Sequence, residues 1–160
     1  MGAARHPGAA HPRPDVSQLI HSTVLAFDYG ARRIGMAVGD TALGIAHPVG
    51  VIEARAAARR WERIRQAITE WRPALLVVGL PVRDDGSEHE LAPRVRDFSA
   101  QLARRFALEV RLIDERYTSA EAASRLSEAG VHGRAQKRHL DELAAAAILQ
   151  AYFDRERTPA

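Results

Sequence analysis

The sequence predicts one α/β domain built on a mixed five-stranded sheet, with elements in the order βββαβαβα and helices on both faces of the sheet. Three strand-like segments come first, and the turns between them are too short for a parallel crossover, so they form an antiparallel meander. Two further strand–helix units follow, and right-handed crossovers make their strands parallel to the first one. The length of 160 residues, 46% of them hydrophobic, is sufficient for one domain with a substantial core.

The meander and the first helix are predicted within residues 23–71. Strands are expected at 23–29, 33–39 and 44–52, because apolar residues either run on continuously or alternate with small and polar ones. The helix is expected at 55–71, where apolar side chains recur at helical spacing, at Trp61, Ile64, Ile68 and Trp71. This periodicity favours core packing over base stacking for both tryptophans, and Pro73 ends the helix.

The second half of the domain is predicted to contain two strands and three helices. The strands are predicted at 75–79 and 109–114, and the first of them is apolar on both faces, which indicates a central strand covered on both sides. One helix is expected at 90–106, a second from Thr118 with a capping box to Glu121, and the last at 139–155 after a loop flanked by glycines. Residues 1–22 are predicted to be a disordered leader, 23–155 the folded domain and 156–160 a flexible tail.

Composition restricts the function classes. The formal charge is +3, the pI is about 9.9, and Lys137 is the only lysine among 23 basic residues. Arginine binds phosphate in a bidentate manner and so favours a polyanionic partner, although a GC-rich genome would produce the same bias. The absence of cysteine excludes disulfides, thiolate zinc sites and cysteine nucleophiles. No apolar run is long enough to span a membrane and no secretory signal is present, so we expect a cytoplasmic protein without a membrane partner.

Three acidic residues are difficult to explain structurally. Asp28 ends an apolar strand, Glu115 ends a second one, and Asp141 lies in an alanine-rich, nearly apolar helical stretch. The carboxyl ends of parallel strands share one edge of a sheet, and buried carboxylates are normally paired, protonated or bound to metal. Three that converge would form an oxygen-only site for Mg²⁺ or Mn²⁺. Considered singly, Asp28 could be a turn former, Glu115 part of a solvated cluster, and Asp141 an acid favoured by a helix dipole.

Basic and glycine residues near these acids are candidates for substrate binding. Gly30 follows the first strand and would serve a positive φ, the close approach of a phosphate, or an ordinary turn. The arginines beside it could clamp phosphate or could simply be solvated. The same alternatives apply to a basic loop that precedes Asp141 and to the residue after Glu115. The candidate phosphate-binding side chains are Arg32, Arg33, Arg116, Arg134, Lys137 and Arg138.

Four motifs in this order resemble the YqgF family, also called RuvX, whose members are Holliday-junction resolvases also proposed as pre-16S rRNA nucleases. The resemblance covers about 23–154 and implies an RNase H-like fold, in agreement with the order βββαβαβα. It also implies that Asp28, Glu115 and Asp141 are the catalytic, metal-binding acids. The leader is longer than the family usually carries. The motifs are Phe27–Gly30 with Arg33–Asp40, Val77–Pro81 with Asp85–Ser87, Asp114–Thr118 with Glu121–Ala122, and Leu140–Ala146 with Ile148–Gln150.

The function expected from residues and resemblance together is that of a metal-dependent endonuclease acting on structured nucleic acid. The substrate would be either branched DNA, in Holliday junction resolution, or structured RNA, in 5′-end processing of pre-16S rRNA. The alternative is a non-catalytic nucleic-acid-binding module with the same fold. A phosphotransferase of the actin-like class would need two such domains, which 160 residues do not supply. The expected oligomeric state is a monomer or a weak homodimer.

Overall fold

The computed structural model describes residues 22–53, 55–115 and 133–157 and confirms the predicted mixed sheet. Its strands lie in the spatial order β3-β2-β1-β4-β5. β2 pairs antiparallel with β1 and β3, whereas β4 pairs parallel with β1 and β5. The strands are β1 (Thr23–Tyr29), β2 (Arg33–Asp40), β3 (Ile45–Glu53), β4 (Leu75–Leu80) and β5 (Glu109–Asp114).

Helices cover both faces of this sheet, as the sequence predicts, and three of them lie in the described ranges. They are α1 (Ala57–Trp71), α2 (Ala92–Phe106) and α3 (Gly133–Arg157). The alternation along β1 divides the core, because successive side chains of a strand point to opposite faces. Leu25 and Phe27 pack in the cluster that contains residues of α1 and α2, while Val24 and Ala26 pack in the cluster that contains residues of α3.

The last helix differs from the prediction. It begins at Gly133 instead of residue 139, so Arg134, Lys137 and Arg138 lie in its first turns and not in a loop. Residues 134–138 have high helix propensity, and a glycine at the first position does not prevent a helix from starting there. The helix also continues to Arg157, so residues 156 and 157 belong to it and not to a flexible tail.

Two other expectations have different outcomes. Trp71 lies at the end of α1, is 37% exposed and belongs to neither core cluster, so the prediction of core packing is wrong for it, whereas Trp61 packs against the core as expected. Residues 1–21 of the predicted leader, and the helix predicted from Thr118, lie outside the described residues. Within the ranges that the structure describes, no helix is long and apolar enough to cross a membrane.

Glycines on β2 allow α3 to lie unusually close to the sheet. A Cβ atom at Gly35 would lie 2.1 Å from the backbone oxygen of Asp141. A Cβ atom at Gly39, further along β2, would lie 2.6 Å from the ring of Phe153. At Gly35 the backbone of α3 therefore occupies the volume that a side chain on β2 would otherwise fill, and this contact positions Asp141 over the sheet.

We predict that Gly35→Ala destabilises the protein by about 3 kcal/mol, because the obstructing atoms belong to the α3 backbone and cannot rotate away. Urea unfolding monitored by circular dichroism measures this change. Gly79→Ala on β4 is a suitable comparison, since its Cβ would meet only the ends of side chains, those of Glu115 and Ile148. It should cost less than Gly35→Ala. Equal midpoints for Gly35→Ala and wild type would contradict the close packing of α3.

Candidate active site

The acids converge at one edge of the sheet, which we call the carboxyl edge because β1, β4 and β5 all end there. Asp28 is the penultimate residue of β1, and Glu115 is the residue that follows β5. The backbone N–H of Glu115 donates to the carbonyl oxygen of Leu80 at 3.2 Å, which ties the end of β5 to the end of β4. Parallel pairing of three strands therefore brings together two residues that are 87 positions apart in the sequence.

The carboxyl groups of Asp28 and Glu115 contact each other. Desolvation raises the pKa of Asp28 well above 3.8, and the charges of Glu115 and Asp141 and a hydrogen bond that Asp28 donates to Glu115 raise it further. Desolvation also raises the pKa of Glu115 to about 7; the hydrogen bond from Asp28 opposes this shift and the charge of Asp114 adds to it. Two interacting carboxyls titrate as a unit, so the pair retains a proton near neutral pH.

Two glycines make room for this pair on the face of the sheet that α3 covers. Gly35 is the β2 partner of Asp28, and Gly79 follows Val78, the β4 partner of Phe27. A Cβ atom at Gly79 would lie 2.3 Å from Oε2 of Glu115. Glu115 therefore folds back over β4 into space that only a glycine leaves open. Sequence reasoning included Gly79 only as the last residue of a predicted strand and as part of a motif, although a strand glycine commonly marks a close approach of this kind.

Asp141 reaches the same edge from α3, where it accepts a hydrogen bond from Arg33. Nε of Arg33, the first residue of β2, lies 2.7 Å from Oδ2 of Asp141, and both side chains are partly buried. The charge of Asp141 contributes to the raised pKa of Asp28. Because α3 begins at Gly133, Asp141 lies in its third turn, too far from the helix terminus for the dipole to explain an acid there.

Three carboxyls thus meet, but they do not yet surround a common point. In the described ranges, no group of three or more His, Cys, Asp and Glu side chains has the arrangement of a metal-ligand set. The pair Asp28–Glu115 supplies oxygen donors, which suit a hard divalent cation. Asp141 offers its carboxylate to Arg33 instead.

Only some of the other predicted site residues fall within the described part of the chain. Gly30 and the exposed Arg32 lie in the β1–β2 turn. Gly30 does not have a positive φ; the tight contact there is with the carbonyl oxygen of Arg33, 2.6 Å from a Cβ atom placed on Gly30. Arg116 lies outside the described residues, as do the side chains of Arg134, Lys137 and Arg138.

Sequence reasoning missed Arg60, on α1, which holds the β1–β2 turn. Its Nη2 donates to the carbonyl oxygens of Gly30 and Ala31, and its guanidinium lies 5.9 Å from the ring centroid of Tyr29. Sequence reasoning used only the apolar residues of this helix. No sequence signal distinguishes Arg60 from its neighbours, because its role depends on how α1 packs.

The carboxyl pair predicts an unusual pH dependence of stability in the absence of divalent ions. Glu115 titrates at its ordinary value of 4.5 in the unfolded chain and at about 7 in the fold, so the folded state binds more protons between these values. The free energy of unfolding that the pair contributes must therefore fall as pH rises through this window. The change is up to about 3 kcal/mol for Glu115 alone, at about 1.4 kcal/mol per pKa unit.

Urea unfolding in EDTA at a series of pH values measures this dependence, with Asp28→Asn/Glu115→Gln as the reference that lacks both titrations. The difference in unfolding free energy between wild type and reference should decline from acidic to neutral pH. The raised pKa of Asp28 makes the difference decline in the same direction. A difference that stays level over this range would show that the two carboxyls do not interact in the fold.

Comparison with known proteins agrees with the geometry. The family model of RuvX, described as "Holliday junction resolvase", matches residues 22–155. A relative from Nitrosospira multiformis, named "Putative pre-16S rRNA nuclease", is 50% identical over 138 residues, which cover 86% of this chain and 91% of that protein. A relative of the same name from Chromobacterium violaceum is 52% identical over 135 residues, covering 84% of this chain and 98% of that protein.

Among solved structures, the resolvase of Fowlpox virus in a complex with Holliday junction DNA superimposes with a TM-score of 0.52 at 12% identity. The superposition covers 85% of this chain and 99% of that one. At this identity the likeness concerns the fold, which is RNase H-like. With a family model that spans nearly the whole described domain and relatives at half identity over most of their length, the chain belongs to the RuvX family.

Proposed function

We propose that this protein is a metal-dependent endonuclease that hydrolyses phosphodiester bonds in structured nucleic acid, with its catalytic centre at the carboxyl edge. The observation that carries the proposal is the buried, hydrogen-bonded pair Asp28–Glu115 in a member of a nuclease family. Perturbed carboxyls in contact with each other at a sheet edge are costly for folding and are typical of functional sites. The substrate is branched DNA or the 5′ region of pre-16S rRNA, as the names of the family and its relatives indicate.

The residues fit a divalent cation, Mg²⁺ or Mn²⁺, because their donors are carboxylate oxygens and because a cation would stabilise the ionised carboxylates that desolvation disfavours in both residues. Asp28 and Glu115 would hold it. Asp141 would join them as the third ligand once Oδ2 is released from Arg33. When bound, such an ion supplies electrostatic stabilisation of the charge that develops on the phosphate oxygens.

The remaining proposed roles concern substrate positioning. Arg32 is exposed in the β1–β2 turn, and Arg33, once freed from Asp141, would present its guanidinium at the same edge. Gly30 lies in the same turn and allows a phosphate to approach the backbone there. We assign Arg116 and the basic residues of the first turns of α3 (Arg134, Lys137 and Arg138) to contacts with the nucleic-acid backbone. A monomer or weak homodimer remains our proposal for the oligomeric state.

We predict that Asp28→Asn reduces cleavage by about a thousandfold or more, equivalent to about 4 kcal/mol of transition-state stabilisation, while binding of nucleic acid is largely retained. The substitution removes a charge at constant volume. Cleavage should be measured with Mg²⁺ and with Mn²⁺ on four-way DNA junctions and on 5′-extended 16S precursor, side by side.

The matched control for this experiment is Asp84→Asn, which removes an acid from the exposed loop between β4 and α2 and should cleave like wild type. If Asp28→Asn keeps wild-type turnover, Asp28 has no role in catalysis. If wild type binds both substrates with either metal but cuts neither, the protein is a non-catalytic binding module.

Divalent ions should also stabilise the fold, because an ion that binds only the folded state shifts the unfolding equilibrium. At a hundredfold excess over Kd the gain is about 2.7 kcal/mol, which corresponds to several degrees in Tm. Thermal unfolding with Mn²⁺ and with EDTA measures this, and Asp28→Asn should lose most of the shift whereas Asp84→Asn should keep it. An equal shift in Asp28→Asn would locate the ion elsewhere.

A further inference from the structure

A second feature of the carboxyl edge is a cleft on the opposite face of the sheet, which we call the α1–α2 cleft. It has a volume of about 600 Å³ and is lined chiefly by Tyr29, Ile34, Arg60, Trp61, Arg94 and Phe98. This volume is in the range of sites that hold small organic ligands. The cleft lies where α1 and α2 begin and where β1 ends, so it opens at the edge at which the acids lie.

The walls of the cleft are aromatic. The Phe98 ring lies 4.9 Å from the ring of Tyr29 and 5.6 Å from the ring of Trp61, centroid to centroid. Phe98 is buried, whereas Tyr29 and Trp61 are only partly buried and line the opening. The guanidinium of Arg105 lies 4.3 Å from the centroid of the Trp61 ring. A flat ligand in the cleft would therefore contact the parts of Tyr29 and Trp61 that these neighbours leave exposed, and nucleobases are flat ligands of this kind.

The rim of the cleft favours an anion. The first turns of α1 and α2 contain no acidic residue, and neither N-cap makes a side-chain hydrogen bond, so the positive ends of both helix dipoles are not neutralised there. Arg94 is exposed in the first turn of α2. The one acid among the lining residues, Asp97, accepts a hydrogen bond from Gln101 at 2.7 Å. A phosphate is therefore favoured near Arg94 and disfavoured beside Asp97.

We propose that the α1–α2 cleft binds one unpaired nucleotide of the substrate, with its base against Tyr29 and Trp61 and its phosphate beside Arg94. The inference rests on the proposed nuclease function. Strand β1 connects the two sites, because its successive side chains point to opposite faces of the sheet. Asp28 points toward the α3 face and the next residue, Tyr29, toward the cleft. A nucleic-acid strand whose scissile phosphate lies at the acids could thus pass round the edge of the β-sheet and place a neighbouring base in the cleft.

The chain contains a convenient reporter for this inference. Trp61 lines the cleft and Trp71, the only other tryptophan, lies at the distant end of α1, so Trp71→Phe leaves a single indole in the cleft. Titration of this variant with nucleoside monophosphates in EDTA should change Trp61 fluorescence in a saturable manner. Ribose 5-phosphate, which has the phosphate but no base, should bind at least about tenfold more weakly.

Two substitutions in the Trp71→Phe background test the location. Arg94→Ala should weaken binding of the monophosphate about tenfold, while Arg104→Ala, an equal loss of charge in the last turn of α2, should not. Ala57→Phe introduces a large side chain at an exposed lining position and should abolish binding while circular dichroism stays native. Unchanged affinity in both Arg94→Ala and Ala57→Phe, or no saturable signal at all, would overturn the assignment.

Failure of the cleft and failure of the nuclease function give different results. Asp28→Asn should bind the monophosphate like the parent variant even though it does not cleave. If wild type cleaves and Ala57→Phe cleaves with the same KM, the nuclease function stands and the cleft is not a substrate site. If the monophosphate binds as expected but wild type never cleaves, the cleft stands and the nuclease function does not.

Discussion

The contact between the carboxyls of Asp28 and Glu115 is the interaction on which the carboxyl edge depends. Two acids at hydrogen-bonding distance cannot both be charged without a large repulsion, and desolvation adds to the cost. The fold keeps them together because the strand backbones that bear them are fixed by parallel pairing through β4. A proton between them satisfies the pair at neutral pH, and a cation could replace that proton.

Space for this contact comes from residues that have no side chain. Gly35 allows the α3 backbone to approach β2, and Gly79 allows the Glu115 side chain to fold over β4. Both glycines neighbour Asp28 on the same face of the sheet. An alanine at position 35 would displace Asp141, and an alanine at position 79 would displace Glu115. The opposite face of the sheet carries large side chains instead of glycines. The aromatic rings of Tyr29, Trp61 and Phe98 pack there and leave a cleft where α1 and α2 begin.

Most of the sheet could be predicted because strand periodicity and connection length determine which neighbours are possible. Short turns required the meander, and helical crossovers made β4 and β5 parallel to β1, so the edge shared by Asp28 and Glu115 followed. The start of α3 could not be predicted, since Gly133 resembles a loop residue and only local propensity and packing decide otherwise.

The hydrogen bond from Arg33 to Asp141 could not be predicted from the sequence, for a different reason. It joins residues 108 positions apart through side chains of four and two rotatable bonds, and no periodicity encodes it. This hydrogen bond helps to balance the charge of the site. Asp28 and Glu115 share one proton and Asp141 is paired with the guanidinium of Arg33, so the three carboxyls, the proton and the guanidinium together carry a net charge of about −1. The fold thus separates the acids into a protonated pair and an ion pair. Asp28, Glu115 and Asp141 would together hold a divalent cation, and the guanidinium of Arg33 would then be available for phosphate, so cation and substrate would be bound by groups that otherwise neutralise each other.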